Sequence, residues 1–176
     1  MDQAPAEGPP IILIDVDGVL NPAFSSKKRA RLAYHDGWIS TWGHIDGDRY
    51  RLFLNPEHGR QLRQLANDTG AELAWGTTWA EHANYEVGPL IGLPVLPVAT
   101  VRIGAKGESV QEWTNGRPWV WFDDQWPVLT EASEQATRQE QRHLAVKVDP
   151  GTGLQPEHLA EARDWLTAVN EADGPP

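Results

Sequence analysis

Two short apolar runs that end in aspartate constrain the fold of this chain more than any other feature. Residues 11–15 read IILID, and residues 119–124 read WVWFDD. A continuous apolar run of this length is typical of a strand that is buried on both faces, as in a parallel sheet covered by helices. Both runs therefore predict parallel strands that carry acidic groups at their carboxyl ends.

The rest of the chain alternates between extended and helical patterns. Further strands are predicted in three places, at 71–75, 98–103 and 144–148, the last of them nearer an edge of the sheet. Helices are predicted in five places, from Pro56, at about 79–86, from Lys106 to Trp113, at 127–141 and from Pro156. Strands that alternate with helices predict an α/β fold of three layers, a Rossmann-like fold in which helices flank a central parallel sheet.

Residues 21–54 interrupt this alternation directly after the first strand. The segment mixes glycine and aromatic residues with a basic run at 27–31, and it predicts a loop or a small hairpin. A connection of this length inside a compact domain is usually functional or disordered. We expect one domain at 11–176 that carries this short insertion after strand 1 and is preceded by a flexible tail at 1–10.

The charge balance and composition exclude several classes of protein. The 176 residues include 15 Lys and Arg against 25 Asp and Glu, and the net charge of −10 disfavours a protein that coats duplex DNA or an anionic membrane. The chain has no cysteine, which excludes disulfides, thiol catalysis and thiolate metal sites. The acidic N-terminus lacks the pattern of a signal peptide, and no apolar run approaches the length of a membrane span. We therefore expect a cytoplasmic protein that does not enter a membrane.

Acidic groups are predicted to gather where the active site of a parallel α/β sheet lies, outside the carboxyl ends of its strands. These groups are Asp15, Asp17, Asp123 and Asp124. Carboxylates crowded at one edge repel one another, and a bound cation with oxygen ligands relieves that repulsion. Because the chain has no cysteine and its histidines are scattered, a hard ion such as Mg²⁺ fits better than Zn²⁺.

Two further residues complete a pattern that suits a phosphoryl group. Thr77 follows the strand at 71–75 and offers a hydroxyl and a backbone N–H, and Lys106 offers a positive charge. Phosphoryl transfer depends on positioning and on stabilisation of charge, which a metal, a hydroxyl and a lysine supply together. Taken singly, Thr77 is also typical of an ordinary strand end and Lys106 of a solvated surface. Only the ordered set points to catalysis.

The order of these groups resembles the haloacid dehalogenase-like (HAD) hydrolases. Asp15-Val16-Asp17-Gly18-Val19-Leu20 is similar to the signature of that family. The family also has a Thr or Ser that ends a second strand, a Lys at the start of a later helix and an acidic pair that ends a further strand. Thr77, Lys106 and Asp123-Asp124 match in that order, so the resemblance covers residues 11–124.

The resemblance implies a role for each matching residue. Asp15 would be the nucleophile, and Asp17 would protonate the leaving oxygen and then deprotonate the attacking water. Thr77 and Lys106 would hold the phosphoryl oxygens, with Thr78 as an alternative to Thr77. Mg²⁺ would be held by Asp15, by the backbone carbonyl of Asp17 and by one of two acids that the sequence does not rank, Asp123 and Asp124. An acid at position 17 favours phosphatase or phosphomutase chemistry, because dehalogenases and ion-pumping ATPases of the family lack it.

The expected function is therefore a Mg²⁺-dependent phosphomonoester hydrolase of the small-capped type, acting through an aspartyl-phosphate. The family inserts its cap where residues 21–54 lie, and a short cap leaves the site open. A phosphorylated small molecule or a nucleotide is the expected substrate. A nucleic-acid end would suit the basic run, but the overall acidity weighs against a long polyanion.

Tryptophans near the strand ends are candidates for contact with the substrate. Trp38 and Trp42 lie in the insertion, and Trp79 and Trp126 follow predicted strands. These rings would stack on a base or a sugar, although packing of the insertion explains them equally well.

Two alternatives from other classes are a signalling receiver domain and a catalytically silent phosphate-binding protein. The position of the acidic pair after Lys106 disfavours a receiver, and the complete acid set disfavours a silent scaffold.

Overall fold

The structure is a computed structural model, and it describes residues 8–24, 27–28, 31 and 37–173. Strands within these residues are β1 (Ile11–Ile14), β2 (Ile39–Ile45), β3 (Asp48–Leu54), β4 (Glu72–Trp75), β5 (Trp119–Asp123) and β6 (His143–Lys147). The α-helices are α1 (Pro56–Thr69), α2 (Lys106–Trp113), α3 (Trp126–Arg138) and α4 (Pro156–Asp173). A π-helical turn (Ala83–Val87) and a 3₁₀ turn (Gly88–Ile91) follow β4.

One parallel sheet forms the middle layer. Its strand order is β4-β1-β5-β6, and each neighbouring pair is parallel. The strand β1 therefore has a neighbour on each side, and β6 lies at the edge, as the sequence predicts. Helices cover both faces of the sheet, which confirms the three-layer Rossmann-like α/β fold.

Strand β1 is apolar throughout because both of its faces are buried. Ile12 and Ile14 join the core on the side of α1 and α4, whereas Ile11 and Leu13 join the core on the side of α2 and α3. Side chains of a strand point alternately to opposite faces. A strand between two helical layers must therefore carry apolar residues at every position.

The insertion after β1 contains an antiparallel hairpin, β2 and β3. Its two-residue turn is Asp46-Gly47, and both residues have positive φ angles, of 50° and 92°, as the tightest hairpin turns require. Leu52 and Leu54 face the core, so the hairpin is packed onto the domain. Of the two predicted forms, a loop or a small hairpin, the chain adopts the hairpin here.

Two local predictions are wrong. No strand forms at 98–103 among the described residues, where Val98 makes one isolated bridge to Trp75. The preceding proline, Pro97, has no N–H to donate, and the segment leaves the sheet edge after two backbone hydrogen bonds. The helix predicted at about 79–86 is instead a turn that leads into the π-helical turn Ala83–Val87.

Residues 1–7 of the predicted tail and Arg29 of the basic run lie outside the described residues. In the part of the chain that the structure describes, every helix is too short or too polar to span a bilayer.

Candidate active site

The register of the sheet brings three strand ends together. Ile14, the last residue of β1, pairs with Trp75 of β4 and with Phe122 of β5. The residues that follow these positions therefore lie together at the carboxyl ends of the strands. They include Asp15, Thr77 and Asp123, and all three are buried.

Lys106 joins two of the acids. It is the first residue of α2, only 8% of its surface is exposed, and its Nζ lies 3.0 Å from Asp15 Oδ2 and 2.6 Å from Asp123 Oδ2. The other oxygen of Asp123 accepts a hydrogen bond of 2.8 Å from the backbone N–H of Gln125. Both carboxylate oxygens of Asp123 are therefore engaged.

Burial opposes the charge of each group in this cluster. Burial raises the pKa of Asp15 to about 7, with Lys106 acting in the opposite direction and Asp123 adding to the rise. Burial would lower the pKa of Lys106, but the charges of Asp15 and Asp123 outweigh it and the pKa is raised. One ammonium is therefore insufficient to compensate the buried carboxylates.

Thr77 and Thr78 have opposite surroundings. The side chain of Thr77 is buried beside Asp15 and acts to lower the pKa of that acid, and its Oγ1 accepts a hydrogen bond of 3.3 Å from the backbone N–H of Trp79. Thr78 is exposed. The geometry brings the hydroxyl of Thr77 to the carboxylate of Asp15.

Asp124 completes a cluster of three acids. Oxygen atoms of Asp15, Asp123 and Asp124 lie within 4.8 Å of one another. Burial raises the pKa of Asp124, and Asp15 adds to the rise. Its Oδ1 is buried and has no hydrogen-bond partner among the described residues. A buried acceptor without a partner is costly, and three carboxylate oxygens at this spacing suit a hard cation such as Mg²⁺.

Gly18 allows Asp124 to approach the loop after β1. A Cβ atom at position 18 would lie 2.4 Å from Cγ of Asp124, and the φ angle of 77° also favours glycine. The glycine of the Asp15–Leu20 signature therefore makes room for an acid that comes from another strand.

Asp17 has two partners that the sequence did not predict. Its Oδ1 accepts a hydrogen bond of 2.9 Å from Nδ2 of Asn21, and its Oδ2 accepts one of 2.8 Å from Nε1 of Trp79. In the sequence, Asn21 before Pro22 indicates only the end of a regular element, and nothing there indicates its bond to Asp17. Trp79 is 1% exposed, so it has no free ring face for the predicted stacking.

The other candidate tryptophans divide by exposure. Trp38 stacks on Phe53, with ring centroids 4.8 Å apart, and it makes edge contacts with Phe24 and His58. Trp42 is 44% exposed on the outer side of the hairpin. Of the two, Trp42 has the more accessible ring.

The remaining candidate, Trp126, is 56% exposed at the start of α3, near Lys147.

A family model decides the relationship that the site suggests. The model of the HAD domain in Swiss Army Knife RNA repair proteins matches residues 11–159. The chain belongs to this HAD family. The match covers every candidate residue of the site, and it confirms that the chain is a member of the HAD-like hydrolase superfamily. A search of curated proteins gives no match.

Solved HAD domains share the fold at low sequence identity. The HAD domain of the effector protein Lem4 from Legionella pneumophila superposes with a TM-score of 0.57 at 13% identity, over 88% of this chain and 95% of that one. An inactive mutant of the same domain gives a TM-score of 0.61 at 12% identity, over 94% and 99%. At this level of identity the likeness concerns the fold alone.

Proposed function

We propose that this HAD domain is a Mg²⁺-dependent phosphomonoester hydrolase that forms a transient aspartyl-phosphate on Asp15. The observation that carries the proposal is the buried cluster of Asp15, Lys106 and Asp123, in which Lys106 lies within 3.0 Å of both carboxylates, with the buried Thr77 side chain beside Asp15. The proposed nucleophile, the ammonium group of Lys106 and the side chain of Thr77 lie at the carboxyl ends of the strands, where α/β folds bind their ligands.

The proposed reaction has two steps. An oxygen of Asp15 attacks the phosphorus, the bond from phosphorus to the ester oxygen breaks, and Asp17 gives that oxygen a proton. A water molecule then attacks the phosphorus of the acyl phosphate, and Asp17 takes a proton from this water. The bond between phosphorus and the Asp15 oxygen breaks, which releases inorganic phosphate and restores the Asp15 carboxylate. Lys106 and Thr77 hold the phosphoryl oxygens through both steps.

The acidic residues present fit Mg²⁺. Asp15 and Asp124, with Asp123 beside them and the backbone carbonyl of Asp17, would hold the ion, and the buried, unpartnered Oδ1 of Asp124 favours this set. When bound, Mg²⁺ supplies positive charge next to the phosphoryl oxygens. Lys106 offers only one positive charge against three carboxylates. Without the ion, a dianionic substrate would have to approach a site with excess negative charge.

The hairpin is proposed to act as a small cap that contacts the leaving group. Arg49 and Arg51 lie over the ring of exposed Trp42, at 4.5 Å and 5.1 Å from its centroid. Neither guanidinium pairs with a carboxylate of the described residues, although Nη2 of Arg51 donates a hydrogen bond of 2.6 Å to Oγ of Ser40. Both positive charges are therefore left to attract an anion. Such a surface suits a nucleotide, whose base stacks and whose phosphates attract arginine.

A phosphate at an RNA end is the second candidate substrate. The matching family model is described as the HAD domain in Swiss Army Knife RNA repair proteins, and this description favours an RNA end. The Trp42–Arg49–Arg51 surface is compatible with it. The net charge of −10 still disfavours extensive contact with a long polyanion. A short single-stranded end is therefore the form of RNA that we propose.

The experiment measures phosphate release by the purified protein from 4-nitrophenyl phosphate, nucleotides and 3′- and 5′-phosphorylated oligoribonucleotides, with Mg²⁺ or with EDTA. We expect release that requires Mg²⁺ and is faster on the nucleotide or oligonucleotide. Binding of phosphate esters without release from any of them would instead support the silent phosphate-binding alternative.

A further inference from the structure

Both oxygens of the Asp17 carboxylate are held by neutral N–H donors. Nδ2 of Asn21 lies 2.9 Å from one oxygen and Nε1 of Trp79 lies 2.8 Å from the other. Two such bonds fix the rotation of the carboxylate plane. A carboxylate has about four lone-pair sites, so each oxygen keeps one for a proton that moves to or from a substrate.

Trp79 is itself held by the hairpin. Its ring lies 5.6 Å from the ring of Tyr50 in an edge contact. A Cβ atom added to Gly43 would lie 3.0 Å from the far edge of the Trp79 ring, so the hairpin backbone passes directly over the indole. With 1% of its surface exposed, Trp79 has little freedom to turn its N–H away from Asp17.

Asn21 connects Asp17 to the same hairpin. Its Oδ1 accepts a hydrogen bond of 2.9 Å from the backbone N–H of Phe53, and its Nδ2 also donates to the backbone oxygen of Arg51 at 3.2 Å. Both partners of Asp17 are therefore fixed by strands β2 and β3, which come later in the chain than the acid they orient.

We propose that Asn21 and Trp79 are positioning residues for Asp17 and that the hairpin holds the proposed acid and base in its working orientation. The inference rests on the proposed phosphatase function. It gives the insertion a role in the proton transfer as well as in contact with the substrate, and it predicts that hairpin packing controls how well a poor leaving group is expelled.

Leaving-group dependence separates positioning from general damage. Nitrophenolate leaves readily without a proton, whereas phenolate needs the proton more, and the two phosphate esters otherwise have the same ring and charge. A misplaced Asp17 should therefore slow phenyl phosphate selectively in kcat/KM, which reports the first phosphoryl transfer.

The test compares Trp79→Phe, which removes the N–H and keeps an aromatic ring, with Trp75→Phe. Trp75 is a matched control, because it is also fully buried and its Nε1 donates a hydrogen bond of 2.8 Å to a side chain, that of Asn84. We expect Trp79→Phe to lower kcat/KM at least about tenfold for phenyl phosphate and less than about threefold for 4-nitrophenyl phosphate. Asp17→Asn should show the same selectivity more strongly, and Trp75→Phe should show none.

Two further measurements protect the test against an unfolded variant. Gly43→Ala pushes on the Trp79 ring from the hairpin and should produce the same selective loss while Trp79 keeps its N–H. The indole N–H signal of Trp79 in the NMR spectrum of the parental protein is assigned by its absence in Trp79→Phe. This signal should move to a different chemical shift in the spectrum of Asp17→Asn.

The outcomes distinguish the two proposals. If the parental protein hydrolyses both esters and folded Trp79→Phe loses activity equally on both, or on neither, the positioning role is wrong and the phosphatase function stands. If the parental protein hydrolyses neither ester nor any other phosphate monoester, the phosphatase function is wrong, and the positioning role falls with it.

Discussion

Asp123 and Asp124 are adjacent in the chain, yet their side chains meet different groups. Asp123 accepts bonds from Lys106 and from the Gln125 backbone, whereas the Oδ1 atom of Asp124 is buried without a described partner. We infer that Asp123 mainly orients Lys106 and that Asp124 has the oxygen more available to a metal. The sequence alone left this pair unranked.

Single substitutions should separate these roles. We expect Asp124→Asn to raise the Mg²⁺ concentration for half-maximal activity at least about tenfold. Its thermal stability should equal or exceed that of the parent, because the substitution removes a half-buried charge whose Oδ1 has no described hydrogen-bond partner. Asp123→Asn should lower kcat even at saturating Mg²⁺ and cost on the order of 1–3 kcal/mol of unfolding free energy, since Lys106 loses one ionic partner.

Mg²⁺ titrations of activity, together with urea denaturation, provide the measurement. Asp164→Asn, which removes an exposed acid from α4, is the control for loss of charge. Equal Mg²⁺ requirements in the parent and in Asp124→Asn would contradict the assignment.

At the scale of elements, the strands that lead to the candidate site residues could be predicted from their own residues alone. The apolar residues IILI and WVWF are buried on both faces of the sheet, so each apolar residue type agrees with its environment. Helix α1 likewise is capped at its start by Asn55, whose Oδ1 accepts a bond from the N–H of Glu57, and at its end by Gly70, with a φ angle of 68°.

The remaining features depend on contacts distant in sequence. The bond from the backbone N–H of Phe53 to Asn21 joins residues 32 positions apart, and the bond from Trp79 to Asp17 joins residues 62 positions apart. No local periodicity encodes such pairs. For the same reason, the sequence could not decide which tryptophans of the insertion are packed and which are exposed.

The hairpin should therefore tolerate substitution unequally. Trp38→Ala removes a stacked partner of Phe53 and should cost on the order of 2 kcal/mol of stability. Trp42→Ala should change stability by less than about 0.5 kcal/mol, because this residue lies at the surface with 44% of its area exposed. Under the proposed function, Trp42→Ala should raise KM for the preferred substrate and leave kcat for 4-nitrophenyl phosphate nearly unchanged.

Thermal denaturation and steady-state kinetics on both substrates check this pair. Tyr85→Ala, which removes an exposed aromatic ring from the π-helical turn, serves as the surface control. A KM for the preferred substrate that does not change in Trp42→Ala would exclude Trp42 from the leaving-group contact.

At the scale of the whole molecule, the buried acids link stability to pH and to metal. The pKa of Asp15 is about 7 in the fold against an ordinary value of 3.8, so the folded protein binds this proton more tightly than the unfolded chain. The contribution of Asp15 to unfolding free energy is therefore present below pH 3.8 and is lost as the pH rises to about 7. Burial shifts the pKa values of Asp123 and Asp124 in the same direction.

Under the proposed function Mg²⁺ would bind the ionised carboxylates, so its effect on stability should oppose this loss. We expect the melting temperature to rise more on addition of Mg²⁺ at about pH 8 than at about pH 5, at constant ionic strength. Calorimetry with Mg²⁺ and with EDTA gives the comparison, and Asp15→Asn should reduce the difference between the two pH values. A rise in melting temperature that is equal at the two pH values would argue against a metal ion bound to this cluster.

The central claim is that the phosphoryl group passes through Asp15. Acid quenching of the protein during turnover, followed by peptide mass spectrometry, tests it most directly. The account predicts a phosphoryl group on the peptide that contains Asp15, its removal by hydroxylamine, and its absence, together with loss of turnover, in Asp15→Asn. Turnover by Asp15→Asn within about tenfold of the parental rate would contradict the account, as would a phosphoryl group on a different residue.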